Sequence, residues 1–113
     1  MSDKQYNVSS LKGTVTIPTS DTATTGTATL DNISGLTQTV VFTTANMEGS
    51  DSTNFEIVNS DDKAFLTSGT KAESTTIVLG TAVPIITGDK IVVTAEGTQS
   101  ASRDITYDIR YLR

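Results

Sequence analysis

The chain has 113 residues, a formal charge of −5 and neither cysteine nor histidine. That length carries one domain with a single modest core. The missing residue types exclude a disulfide framework, thiolate metal sites, Ser-His-Asp or Cys-His catalysis and most zinc sites. Only eight lysines and arginines make the chain a poor polyanion binder, because phosphate binding needs cations to replace released counterions, so nucleic acid is set aside as a partner.

The first ten residues, Met1 to Ser10, are polar and read as an N-terminal arm, leaving 11–113 as the folded domain. The start has no apolar h-region, so it does not read as a signal peptide, and no apolar run approaches the length of a membrane span. No membrane partner is expected, and synthesis in a cytoplasm is. About a fifth of the chain is threonine, which favours strands: its branched Cβ suits a pleated surface and its hydroxyl tolerates water.

Leu11 to Ile17 is the first predicted strand, with Gly13, Val15 and Ile17 on one face and Pro18 closing it. Ser20 to Thr24 is a polar turn. Thr25 to Leu30 is the second strand, with Ala28 and Leu30 inward. After the turn Asp31-Asn32-Ile33-Ser34-Gly35 comes Leu36 to Thr44, whose core face would be Leu36, Gln38, Val40 and Phe42. Asn46 to Asn54 is a loop, Phe55 to Val58 a strand, and Ala64 to Thr67 a short segment broken by Ser68-Gly69-Thr70. Ser74 to Leu79 and Ala82 to Ile86 follow, the latter an edge or irregular entry because it holds Pro84. Thr87-Gly88-Asp89-Lys90 is a tight turn into Ile91 to Ala95, and Gly97 to Ser102 a polar loop. The last strand alternates most clearly: Ile105, Tyr107, Ile109 and Tyr111 against Thr106, Asp108 and Arg110. Leu112 interrupts its polar face and could touch a neighbour.

No segment keeps a 3.6-residue apolar period. Short strands with turn signals every ten or so residues predict an all-β fold, a single antiparallel β-sandwich of jelly-roll or Ig-like Greek-key type.

The acids offer little chemistry. Asp61 with Asp62, or Asp51 with Glu56, are the candidate carboxylate pairs, but adjacent Asp residues in a turn are normally solvated turn formers. Asp51, Asn54, Asp61 and Asp62 could ligate calcium if their loops met at one end of the sandwich, yet their spacing matches no EF-hand, and solvated loops are the simpler reading. No catalytic residue, metal or cofactor is assigned. Aromatic residues are few, which counts against a sugar-binding platform. Phe65 could be core or contact, and Tyr6, in the polar arm, suits an anchor on a neighbouring subunit. Charges are sparse from Thr14 to Phe55, so strand edges lack their usual guards and invite cover by an assembly.

The C-terminal half carries a resemblance. Ile77-Val78-Leu79, Val83-Pro84-Ile85-Ile86-Thr87-Gly88-Asp89-Lys90-Ile91-Val92-Val93-Thr94-Ala95 and Ile105-Thr106-Tyr107-Asp108-Ile109-Arg110-Tyr111-Leu112 resemble the closing strands of small tailed-bacteriophage virion proteins of β-sandwich type. The resemblance implies a non-enzymatic structural protein on the capsid exterior that decorates or cements the shell by binding the major capsid protein, as a homotrimer or homodimer. Tyr6, Val8, Leu11 and Met47 are the expected contact residues. The alternative is a receptor- or glycan-binding tip domain of a tail or fibre, its site built from the 46–54 and 97–102 loops.

Overall fold

The computed structural model describes residues 8–20 and 22–113. Among them run nine strands, β1 (Val8–Ile17), β2 (Thr25–Thr29), β3 (Ser34–Thr43), β4 (Thr53–Val58), β5 (Ala64–Lys71), β6 (Thr76–Leu79), β7 (Pro84–Ile86), β8 (Lys90–Ala95) and β9 (Arg103–Leu112), with a 3₁₀ turn at Glu48–Ser50.

The strands pair as one long antiparallel hairpin whose tip is the β4–β5 turn. β4 pairs with β5, β3 with β6 and β7, β2 with β8, and β1 with β9. The hairpin is rolled, so successive pairs fall in alternate sheets. The first sheet has the order β1-β9-β3-β6, with β7 also on β3, and the second β2-β8-β4-β5. The β3–β9 and β4–β8 pairs close each sheet. With β6 and β7 taken as one interrupted strand this is a jelly roll, which decides between the two sandwich types expected.

Period-two alternation fills the space between the sheets. Val15, Ile17, Val40, Phe42, Ile85, Ile105 and Ile109 come from the first sheet, Phe55, Ile57, Leu66, Ile91 and Val93 from the second, and Leu30, Ile33 and Met47 from the connections. Phe42 and Phe55 stack across the gap with ring centroids 4.3 Å apart and planes 13° apart. That contact ties β3 to β4 at the centre of the core.

Several boundaries differ from expectation for identifiable reasons. β1 begins at Val8, not Leu11: Val8, Ser9 and Ser10 pair with Leu112, Tyr111 and Arg110. The expected arm is therefore strand from Val8 onward, and its residues 1–7 lie outside the described residues.

In β3 the register shifts between Thr37 and Thr39, leaving Gln38 as the extra residue of a bulge. An unbroken period had put Leu36 and Gln38 inward. The bulge turns both outward and Thr37 inward, where it is fully buried. The buried hydroxyl is satisfied: it donates to the Thr81 carbonyl and accepts from the Val83 N–H at 2.9 Å, while the Thr37 N–H donates to Val83 O at 2.9 Å. Thr37 thus pins the stretch where the edge strand is broken between β6 and β7.

β5 also continues through Ser68-Gly69-Thr70, which had read as a break. The ladder shifts there, and Ser68 Oγ accepts the Phe55 N–H at 3.0 Å. Gly69 supplies the required positive φ of 71°.

Candidate functional site

Alternation that fills the core inward dictates the two outer faces, and these differ. On the second sheet the rows read Thr25–Thr94–Asn54–Thr70 and Thr27–Val92–Glu56–Thr67. A third row is Thr29–Lys90–Val58–Ala64. Val92 is partly buried and Val58 buried, so among the described residues this face exposes no large apolar side chain.

The first sheet has a comparable polar row at one end, Thr14–Thr106–Thr43–Thr76, with the Thr43 and Thr76 hydroxyls 3.2 Å apart. Its middle row is Lys12–Asp108–Val41–Val78. The row at the other end is Val8–Leu112–Leu36–Pro84, apolar across four strands, with Ile86 next along β7. Residues directly opposite one another in a ladder sit about 5 Å apart, so these side chains form one continuous patch.

Val8 is 53% exposed, Leu36 42% and Ile86 59%, and Val78 on the same sheet is 64% exposed. Among the described residues these are all the exposed large apolar side chains, and the second sheet contributes none. Single exposed apolar residues are ordinary, but a contiguous row is the kind of feature that marks an interaction site.

Between the middle row and the polar end row this face has a shallow groove lined by Lys12, Thr14, Val41, Thr43, Thr106 and Asp108. Arg110 Nε lies 3.6 Å from Asp108 Oδ2, and Thr16 Oγ1 donates to Asp104 Oδ1 at 2.8 Å. Among the described residues of its strands the charged side chains on this face are Lys12, Arg110, Asp104 and Asp108, which balance, whereas the whole chain carries −5.

The expected contact residues fare unevenly. Val8 heads the apolar row. Leu11 faces inward, partly buried against the core, because it shares the face of Gly13, Val15 and Ile17. Met47 is a correction: at 4% exposure it belongs to the core and is not available to a partner. A mid-loop apolar residue had suggested a contact, but the loop folds its methionine inward. Tyr6 lies outside the described residues. The apolar row also holds Leu36, Pro84 and Ile86, which were not among the expected contacts. Leu112 was the one signal available, an apolar residue out of phase on an alternating strand.

Asp51 and the Asp61-Asp62 pair lie beyond opposite ends of β4, so they do not converge. Asp51 Oδ2 accepts from Gln99 Nε2 at 2.9 Å, and Asp62 Oδ1 faces Lys90 Nζ at 3.3 Å. Among the described residues no three His, Cys, Asp or Glu side chains gather as a metal-binding group.

The 46–54 and 97–102 loops do meet. Gln99 is buried and knits them: its Oε1 accepts from the Glu48 N–H at 2.8 Å and Arg103 Nε at 3.2 Å, while Nε2 also donates to the Gly97 carbonyl at 2.9 Å. Both amide donors and both acceptor sites are used. Glu48 Oε2 accepts the Ser100 N–H at 2.9 Å. This loop cluster borders the Arg103 end of β9, whereas the apolar row crosses β9 at Leu112.

No protein-family model matches the chain. No curated protein sequence matches it either. Solved structures do share the fold. A chain of the cyanophage Pam1 capsid asymmetric unit superposes with a TM-score of 0.62 at 14% identity, covering 95% of this chain and 85% of that one. A chain of the Bacillus endospore appendages, described as a novel family of disulfide-linked pili, superposes with a TM-score of 0.55 at 13% identity, covering 99% and 94%. At such identities the likeness is one of fold.

Proposed function

We propose that the chain is a non-enzymatic structural protein of a virion that decorates or cements a phage capsid from outside, presenting the outer face of its first sheet to the lattice of the major capsid protein. The observation that carries this reading is the apolar row Val8–Leu112–Leu36–Pro84 with Ile86 beside it. It lies on a face whose charges balance, on a chain of net charge −5 that exposes no large apolar side chain elsewhere among the described residues. A fold shared with a phage capsid chain supports the virion setting, and one shared with a pilus chain supports the broader idea of an assembly subunit. With no cysteine, this chain cannot form disulfide links.

The mechanism is additive burial at shallow contacts. A protein that touches neighbouring capsomers makes each later contact at high effective concentration, and it stabilises the lattice because it binds the assembled form.

The test is co-sedimentation of the purified protein with capsids stripped of accessory proteins, with host cells as the comparison. Saturable binding at a fixed ratio to capsid subunits, with a raised capsid melting temperature, is the expected result. Binding to cells and not to capsids would overturn it and move the site to the loop cluster around Gln99, as a receptor- or glycan-binding tip requires.

A further inference from the structure

Among the described residues the fold leaves four sheet edges, and three of them are blocked against strand addition. The β6/β7 edge is broken between Leu79 and Pro84 and carries a proline. The β5 edge has two register shifts and the turned Gly69. The β2 edge is five residues long and packs under the backbone of β1: a Cβ on Gly26 would collide with the Thr16 carbonyl.

The β1 edge differs in every respect. It is ten residues long, pairs with β9 without a register shift, and has no proline. Its one charged residue is Lys12. Among the described residues no backbone hydrogen bond reaches its outer side, and the approach of Gly26 occurs only near Thr16. Among the described residues Val8 to Thr14 therefore presents an open row of N–H and C=O groups, a template that proteins otherwise blunt.

We propose that this edge pairs with β1 of a second copy, antiparallel about a twofold axis, joining the two first sheets into one continuous sheet. A strand edge is complementary to itself under a twofold operator, which makes the contact isologous and self-limiting. The charge agrees. A chain of −5 repels its own copy, yet β1 holds no acidic residue, so this edge meets its copy without acid opposing acid. The pairing also brings two apolar rows, each beginning at Val8, onto one surface. The inference stands apart from the capsid reading, since the edge would pair in the isolated protein.

The absence of cysteine makes the test clean. Single variants Ser9→Cys, Ser10→Cys, Leu11→Cys and Lys12→Cys are oxidised and the disulfide dimer measured, with Thr27→Cys on β2 as control. Across a twofold antiparallel pair only the residue at the axis meets its own copy within disulfide range, and each step away adds about 7 Å. A sharp maximum at one position is expected, with a dimer by sedimentation velocity for the unmodified chain.

Ser9→Pro and Ser10→Pro give an independent reading, because adjacent N–H groups point to opposite edges. One variant should keep its thermal midpoint and lose the dimer, and the other should lose a ladder bond to β9 and melt earlier. A flat cysteine profile no higher than the control, an unmodified chain that sediments as a monomer or a trimer, or a dimer that survives both prolines overturns the proposal.

Discussion

The apolar row can be tested by making it resemble the rest of the surface. The triple variant Val8→Thr, Leu36→Thr, Ile86→Thr keeps a β-preferring residue at each site and removes apolar area. In the free chain these side chains retain 53, 42 and 59% of their exposure. Full burial of such a side chain contributes about 1.5–3 kcal/mol, so a partner covering the row gains about 2–5 kcal/mol from the three together. Threonine keeps one methyl, so about 1–3 kcal/mol is lost, a weakening of about 5- to 150-fold in Kd. Folding should change little, since exposed substitutions of this kind stay within about 0.5 kcal/mol each. The assay is saturation binding to stripped capsids, with the thermal midpoint recorded for each variant and Val92→Thr on the opposite sheet as control. Unchanged capsid affinity in a folded triple variant would refute the assignment of this face, as would an equal loss in the Val92→Thr control.

Three further outcomes follow from the packing. Thr37→Val keeps the shape of a fully buried side chain but strands the Val83 N–H and the Thr81 carbonyl, so urea unfolding should show a loss of about 1–3 kcal/mol that Thr37→Ser largely avoids. Gly26→Ala should destabilise more than Gly13→Ala in the same assay. The first drives a methyl into the Thr16 backbone carbonyl, whereas the second meets the Tyr107 ring, which can swing aside. Burial pushes the Tyr107 hydroxyl above its ordinary value near 10, because the folded state favours the neutral phenol. Its contribution is present in full below pH 10 and is lost as pH rises beyond, so Tyr107→Phe should flatten the alkaline limb of a denaturation-midpoint profile.

Much of the fold was legible because sandwich strands obey a two-residue period. The closing strand could be assigned face by face from Ile105 to Tyr111, and Pro84 was placed correctly at an edge. Period counting failed at β3, where a single inserted residue exchanges the two faces. Leu36 and Gln38 are the casualties, and Thr37, an ordinary polar residue in sequence, becomes a buried tie. The candidate site was legible only in part for a related reason. Val8 and Leu112 were visible as apolar residues at unexpected places, but Leu36 read as core. Nothing local marks residues so far apart in sequence as one row. Met47 went the other way: a loop position suggested contact, and the fold uses it to fill the core.

The rolled hairpin explains why a patch on this face is informative. Positions 8, 36, 84, 86 and 112 lie on four strands drawn from both halves of the chain, and only the long-range register of β1 on β9 and of β3 on both β9 and β7 aligns them. A surface under no demand beyond solubility would resemble the second sheet, whose described residues expose no large apolar side chain. The row also lies at the far end of β9 from the loops that Gln99 holds together. The two functional readings are therefore separable by mutation. Charge reversal at exposed loop positions, such as Glu48→Lys, should leave capsid binding intact while removing any receptor binding. Substitution at Leu36 and Ile86 should do the reverse, and loss of both activities from either set would mean that neither surface acts alone.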